Sequence, residues 1–334
     1  MTPVAPHLAA FLREYLPRDR GCSSHTCDSY AYAFQLLVCF AADRYSILPS
    51  LLSLEHFDAP LVTSFLEHLE VDRNNSVSTR NARLAAIKSF AHFIEYRLPS
   101  AIDQIHQRLA IPEKKTLEPL VYYLDSKELQ ALLNAPDPRN RRGIRDLAML
   151  HLAFSAGLRV SELIGLKLTD LQLHPDPCIR IRGKGRRERL LPLWKETTNA
   201  LRKWIGVRAH IDVPELFVNA KGRPISRSGF QYILSKHVQK ASESCESLSR
   251  KNVSPHVLRH TCAIHILQAT HDVRKVSLWL GHASMQSTEV YLRVDPSEKL
   301  AALNAGMAPA LKKGRFTAPD KLLEMLKAKQ GAQL

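Results

Sequence analysis

Apolar residues recur at helical spacing through most of the 334-residue chain. In the first third the pattern predicts helices over Leu8–Tyr15, Tyr30–Tyr45, Ala59–Leu69 and Ser78–Tyr96, with a short turn near Ile102. In the last of these helices Leu84, Ile87, Ala91 and Ile94 form one face, and Arg80, Arg83 and Lys88 are expected elsewhere on the wheel. That basic stripe could lie against phosphates, or it could be an ordinary solvated face.

A second series of elements starts at Asp125-Ser-Lys-Glu128, a capping-box-like entry to a helix carrying Leu129, Leu132 and Leu133 and closed by Asn134 and Pro136. An apolar helix from Ile144 to Phe154 is interrupted at Gly157, and another spans Val160–Leu166. Period-two alternation then predicts two strands, Cys178–Arg182 and Arg189–Leu193, joined by Gly183–Glu188. Helices resume over Glu196–Val207, Arg227–Cys245, Pro255–Ala269, Val273–Leu280 and Gln286–Tyr291. The expected fold is mainly α with a small antiparallel β-sheet.

Length suggests two domains, because single cores stop growing near roughly 250 residues. Ile111-Pro-Glu-Lys-Lys-Thr-Leu-Glu-Pro119 is polar and bracketed by proline, which suits a linker. The expected division is a helical domain over 1–112, a linker over 113–119, a second domain over 120–304 and a tail over 305–334.

Charge sharpens this division. The chain carries 47 Lys and Arg against 32 Asp and Glu, a net charge of +15, which points to a polyanionic partner, nucleic acid or an anionic membrane. No stretch approaches the ~20 apolar residues of a spanning helix, and Met1–Leu16 lacks a basic-then-apolar signal pattern. Residues 1–112 hold 10 basic against 11 acidic residues, net −1, and residues 113–334 hold 37 against 21, net +16. Six cysteines, Cys22, Cys27, Cys39, Cys178, Cys245 and Cys262, form no CxxC pair and read as reduced thiols of an intracellular protein.

Four constellations could carry chemistry. Ser254-Pro-His256-Val-Leu-Arg259-His predicts a capped helix start with His256 and Arg259 one turn apart, a plausible phosphate site or a plain surface helix. His256, His260, Cys262 and His265 invite a metal reading, but no carboxylate partner lies nearby and there is no HExxH. Ser155-Ala-Gly-Leu-Arg159-Val-Ser-Glu162 places Arg159 at a helix entrance, able to enter a cleft or to pair with Glu162 as an exposed contact of little consequence. Lys184 sits at the expected hairpin tip between Gly183 and Gly185, and Leu-Gly-His282 precedes a helix carrying Tyr291.

Taken in order, Gly-Leu-Arg159-Val-Ser-Glu-Leu, Gly-Lys184-Gly-Arg-Arg-Glu-Arg-Leu-Leu-Pro-Leu, His256-Val-Leu-Arg259-His, Leu-Gly-His282 and Tyr291 resemble the tyrosine recombinase, or phage integrase, family in its Xer-like and mobile-element branch. The likeness covers nearly the whole chain. It implies a SAM-like helical core-binding domain that clamps DNA, followed by a catalytic domain. It also implies a site-specific recombinase, independent of metal, ATP or other cofactor, that cuts and rejoins double-stranded DNA through a 3′-phosphotyrosyl link. Tyr291 would be the nucleophile and Lys184 the general acid. Arg159 and Arg259 would grip the phosphate, His256 would handle a proton or bond the phosphate, His282 would position it, and Glu162 would buttress the first arginine.

Arg80, Arg83, Lys88, Arg182, Arg186 and Arg187 are the expected DNA contacts. The resemblance further implies a tetramer on paired DNA sites, a second recombinase as a potential partner, and a cytoplasmic, nucleoid-associated bacterial setting. Cys262 and Ile264 depart from the family pattern beside Arg259, where packing is affected more than chemistry. Forty-three residues follow Tyr291, a longer tail than in chromosome-resolving members, which tilts the expectation toward a transposon, plasmid or phage integrase over a chromosome dimer-resolving enzyme. Leu322, Leu323, Met325 and Leu326 give the tail an apolar face that either docks on a neighbouring protomer or stays loose.

The competing class is an architectural DNA-binding protein without catalysis, which has no need of Tyr291 and Lys184 together. A metal-dependent nuclease built on Glu113-Lys-Lys115 is disfavoured by that pattern's place in the linker, and a type IB topoisomerase by the Xer-like motifs. Since the excess charge meets phosphates, DNA affinity is expected to fall steeply with salt. Each neutralised phosphate adds about 0.9 to the slope of log K against log salt, measurable by fluorescence anisotropy from low to physiological salt.

Overall fold

The computed structural model describes residues 2–116, 121–183, 188–208, 212–282 and 284–294, with residues 293 and 294 described by backbone alone. Lys184, Arg186, Arg187 and the tail lie outside the described residues. The chain divides into two compact units, Met1–Glu118 and Pro119–Leu334.

The first unit is helical. Helix α1 begins at Val4–Ala10 and continues as a wide π-type coil over Phe11–Asp19, followed by α2 (Ser24–Tyr45), α3 (Ala59–Val71), α4 (Val77–Glu95) and α5 (Ile102–Leu109). Side-chain caps set three starts: Ser23, Asp58 and Ser76 accept from the amides of Thr26, Leu61 and Thr79. The Ser23 cap starts α2 six residues before the expected Tyr30. Phe11 is fully buried and packs against Phe34, Phe90 and Phe93, joining α1, α2 and α4 in one aromatic core.

The expected basic stripe on α4 needs correction. Arg80 lies one turn before Leu84, so it falls on the buried face. It is only 5% exposed, and its guanidinium donates to Asn81 Oδ1 and to the carbonyl of Pro112. Arg83 is half-buried, donates to the carbonyl of Ser29 and stacks over Tyr32, and Lys88 is half-buried. Lys114, inside the ExK pattern, pairs with Glu70 at 2.6 Å.

The second unit contains α6 (Ser126–Asn134), α7 (Arg141–Ser155), α8 (Val160–Ile164), a small sheet, α9 (Lys195–Val207), α10 (Arg227–Ser242), α11 (Pro255–Thr270), α12 (Val273–Leu280) and α13 (Gln286–Val294). Asp125 and Glu128 form the expected capping box. The sheet has three strands rather than the two expected. Leu171–Gln172 (β1) pairs with Cys178–Arg182 (β2), which pairs with Glu188–Pro192 (β3), all antiparallel. A two-residue strand is too short to show alternation, so β1 leaves no periodic signal.

On β2, Ile179 and Ile181 are fully buried while Arg180 and Arg182 face out. Directly opposed residues share a face, so the pairings Ile179 with Leu191 and Ile181 with Arg189 turn Arg189 inward. Helix α11 runs through the core: Leu258, Cys262, Ala263, Ile264 and Leu267 are at most 1% exposed. Thr261 ties the entering chain to it by accepting from the Leu124 amide at 3.0 Å.

Gly157, between α7 and α8, has φ +56°, and a Cβ there would lie 2.5 Å from Leu280 Cδ2 and 3.1 Å from Cys262 Sγ. Cys262 thus fills a close contact with the Gly157 backbone. A Gly157→Ala change is expected to cost about 1–3 kcal/mol through left-handed strain and overpacking, read as a lower urea midpoint with an unchanged slope.

Candidate active site

The site is built around Glu162. Its side chain is 4% exposed and reaches back to the Arg159 amide at the start of α8 (Oε2, 3.0 Å). The same carboxylate accepts from Arg159 Nη1 at 2.9 Å and from Arg189 Nη2 at 2.9 Å and Nη1 at 3.3 Å, and Arg259 Nη1 lies 4.0 Å away. Burial alone would raise its pKa, but the hydrogen bonds and charge of Arg189, then those of Arg159, hold it below the usual glutamate range. The pair of Arg159 with Glu162 is therefore part of a buried network, not the exposed contact that its spacing allowed.

Arg259, on α11, is 4% exposed. It donates to the carbonyl of Gly157 through Nη1 and to that of Leu280 through Nη2 at 2.8 Å. Burial, then the nearby Arg159, pull its pKa down to about 10, which leaves it charged at neutral pH. Its place is thus set by two backbone carbonyls at helix ends, one held by a left-handed glycine at 157 and one preceding Gly281.

Across this cluster stands Tyr291 of α13, 2% exposed, with its hydroxyl 3.0 Å from Nδ1 of His260. Burial pushes the phenol up to about 12 although Arg259 and Arg159 pull the other way, so the hydroxyl keeps its proton at neutral pH. His282 follows the Gly281 turn that ends α12; its Nδ1 bonds Thr288 Oγ1 at 2.7 Å, and its ring lies nearly parallel to Tyr291. His256 is exposed in the first turn of α11, its ring 6.5 Å from that of His260. The structure thus brings Arg159, Glu162, Arg259, His282 and Tyr291 together, with His256 at the edge. Among the described residues no group of three or more His, Cys, Asp or Glu could hold a metal ion.

Two members of the site escaped the sequence pattern. Arg189 opens the expected second strand without any marked role, yet its alternation with Leu191 and Leu193 places it on the buried face. His260 figured only in a metal reading; nothing local marks it, because its partner lies 31 residues away. Arg182, named as a DNA contact, is exposed and pairs across the hairpin with Glu188 at 3.2 Å.

The model of the phage integrase family matches residues 122–298, and that of the phage integrase N-terminal SAM-like domain matches residues 8–97. A putative integrase/recombinase, y4rC, of Sinorhizobium fredii is 42% identical over 97% of this chain and 97% of its own length. A tyrosine recombinase XerC of Pelobacter propionicus is 32% identical over 88% of this chain and 92% of its own. Among solved structures, the Tn1549 transposon integrase in complex with transposon right end DNA aligns with a TM-score of 0.68 at 18% identity, covering 91% of this chain and 99% of that one. XerH bound to its difH substrate gives 0.62 at 22% identity, covering 85% and 81%.

The two buried imidazoles make a checkable contribution to stability. Burial, then neighbouring positive charge, lowers both His260 and His282 from the ordinary 6.5 to about 4. Between these values the unfolded chain binds protons that the folded chain refuses, so stability present above pH 6.5 is lost as pH falls toward 4. A His260→Gln/His282→Gln protein is expected to show a shallower decline of the urea midpoint across that window than the wild type.

Proposed function

The chain belongs to the phage integrase family and is a site-specific tyrosine recombinase, and from that premise we propose that it breaks and rejoins DNA strands through Tyr291. The observation that carries the assignment of residues is the meeting of an unionised, buried phenol with Arg159 and Arg259 in one site. Cleaving a phosphodiester needs a nucleophile, positive charge for a five-coordinate phosphorus and a proton for the departing 5′ oxygen. Tyr291 attacks phosphorus and takes the 3′ phosphate. Arg159 and Arg259 hold the nonbridging oxygens, supplying charge that metal ions supply in other phosphoryl-transfer sites. Glu162 orients Arg159, His256 handles a proton or bonds the phosphate, His282 positions it, and Lys184 protonates the leaving 5′ oxygen. The phosphotyrosine keeps the bond energy until the 5′ hydroxyl of a partner strand attacks it, so no nucleotide triphosphate is consumed.

Arg83, Lys88, Arg182, Arg186 and Arg187 would meet DNA phosphates, and Arg80 has no part in this. Exchange between two duplexes requires a tetramer on paired sites, formed by this chain alone or with a second recombinase, in the bacterial cytoplasm. A groove of about 840 Å³ between β3, α11 and α12, lined in part by Leu190, Trp194, Leu278 and Trp279, supports docking of a neighbour's tail through Leu322, Leu323, Met325 and Leu326. The likeness to a putative integrase/recombinase over 97% of both chains supports a role in moving a mobile element.

The test uses the full-length protein and a nicked suicide duplex whose site is obtained by selecting randomised DNA for binding. In EDTA the wild type is expected to form a covalent protein–DNA complex. Tyr291→Phe should bind the duplex as well and form none. A phenylalanine variant that still becomes linked, or a wild type that cleaves only with Mg²⁺, would refute the assignment.

A further inference from the structure

We propose that His260 is the general base that removes the phenolic proton of Tyr291 as the strand is cut. The inference rests on the reading of Tyr291 as nucleophile and adds the group that activates it. Three features lead to it.

The first is geometry. Helices α11 and α13 set His260 Nδ1 and Tyr291 Oη 3.0 Å apart, within the range for direct proton transfer. Among the described residues, Nδ1 is the hydrogen-bond partner of that hydroxyl. For the phenol to donate, Nδ1 must be the unprotonated nitrogen of a neutral ring, which places the ring proton on Nε2. His282 flanks the phenol face to face, and its Nδ1 is engaged by Thr288.

The second is charge state. Among the described residues, the charged and titratable groups around His260 are His256 and Arg259 on its own helix and Tyr291 and His282 opposite. With burial, this surrounding keeps the ring neutral at physiological pH, which is the state a base requires, while the phenol keeps the proton to be removed. A buried phenol held up to about 12 is a poor nucleophile unless its proton leaves as the bond to phosphorus forms.

The third is response to substrate. A phosphodiester seated on Arg159 and Arg259 cancels part of the positive field that depresses the imidazole, so its proton affinity rises when DNA arrives. The base is weak in the free enzyme and strengthened at the moment of use. In the step itself the Oη–P bond forms, the phenolic proton passes to Nδ1, the P–O5′ bond breaks, and its electron pair leaves on the 5′ oxygen, which takes a proton from the general acid. In rejoining, the 5′ hydroxyl gives its proton back to the deprotonated general acid as it attacks phosphorus, the P–Oη bond breaks, and the imidazolium returns its proton to the departing Oη.

The experiment measures single-turnover formation of the covalent complex on the same suicide duplex. His260→Gln is expected to bind DNA within about threefold of the wild type and to cleave about 10²–10⁴-fold more slowly, the range of a lost general base. Tyr291→3-fluorotyrosine, with its more acidic phenol, should restore at least about tenfold of the rate to His260→Gln. As a second route, His260→Ala should recover cleavage in proportion to added imidazole. A His260→Gln rate within about threefold of the wild type overturns the inference, and so does a slow variant that neither a more acidic phenol nor imidazole rescues, since that marks a role in packing alone. Both of those results leave the wild-type covalent complex intact. Failure of the wild type to form it would instead overturn the recombinase reading and this inference with it.

Discussion

One buried carboxylate organises the catalytic unit. Glu162 receives Arg159 from its own helix entry and Arg189 from β3, and it stands 4.0 Å from Arg259 of α11. Three guanidiniums in one small volume repel each other, and the anion among them is what lets the chain fold with that charge gathered. The carboxylate is equally dependent, because its desolvation is unfavourable without those donors. Removing one partner from such a buried pair costs about 3–5 kcal/mol. Since the partners belong to α8, the sheet and α11, the same interaction that tunes the site also fastens these elements together.

The charge left over has a chemical use. Three arginines against one glutamate leave two positive charges, which suit the extra negative charge that a phosphodiester acquires as it becomes five-coordinate. Burial, and then neighbouring positive charge, lowers the proton affinity of His260 and His282, and burial keeps Tyr291 protonated. The free protein therefore holds a neutral phenol beside neutral imidazoles in the field of the arginines. Excess charge in the whole chain first indicates only a polyanionic partner. Its concentration in residues 113–334 and around Glu162 ties it to the reacting phosphate.

Much of this was legible in the sequence. Helical periodicity located the long helices, Asp125 with Glu128 announced the start of α6, and the ordered motifs from Arg159 to Tyr291 pointed to the family and to the residues that converge. The misreadings share a cause, which is that polarity along a chain does not say where a side chain is held. Arg80 is charged and so looked solvent-facing, yet it sits one turn from Leu84 and is retained inside by the carbonyl of Pro112. Arg189 looked like surface until the register of β3 against Ile181 turned it inward. His260 stood out only in a metal reading, because its contact with Tyr291 depends on the packing of α13 against α11.

Backbone geometry, beside side-chain pairing, decides how rigid Arg259 is before DNA arrives. Gly157 and Gly281 both adopt left-handed conformations, at φ +56° and +63°. The first brings its own carbonyl to Arg259 while admitting Leu280 and Cys262 at distances that a Cβ would forbid. The second ends α12 just after the Leu280 carbonyl that also holds Arg259, and it leaves room for Arg189, whose Cδ and Nη1 would lie 3.0 Å from a Cβ at 281. A guanidinium fixed by carbonyls at two helix ends has little freedom left to lose on meeting phosphate. Donors set in advance contribute more to a transition state than donors that must first be ordered. The two glycines are thus as much a part of the electrostatics as the charges they make room for.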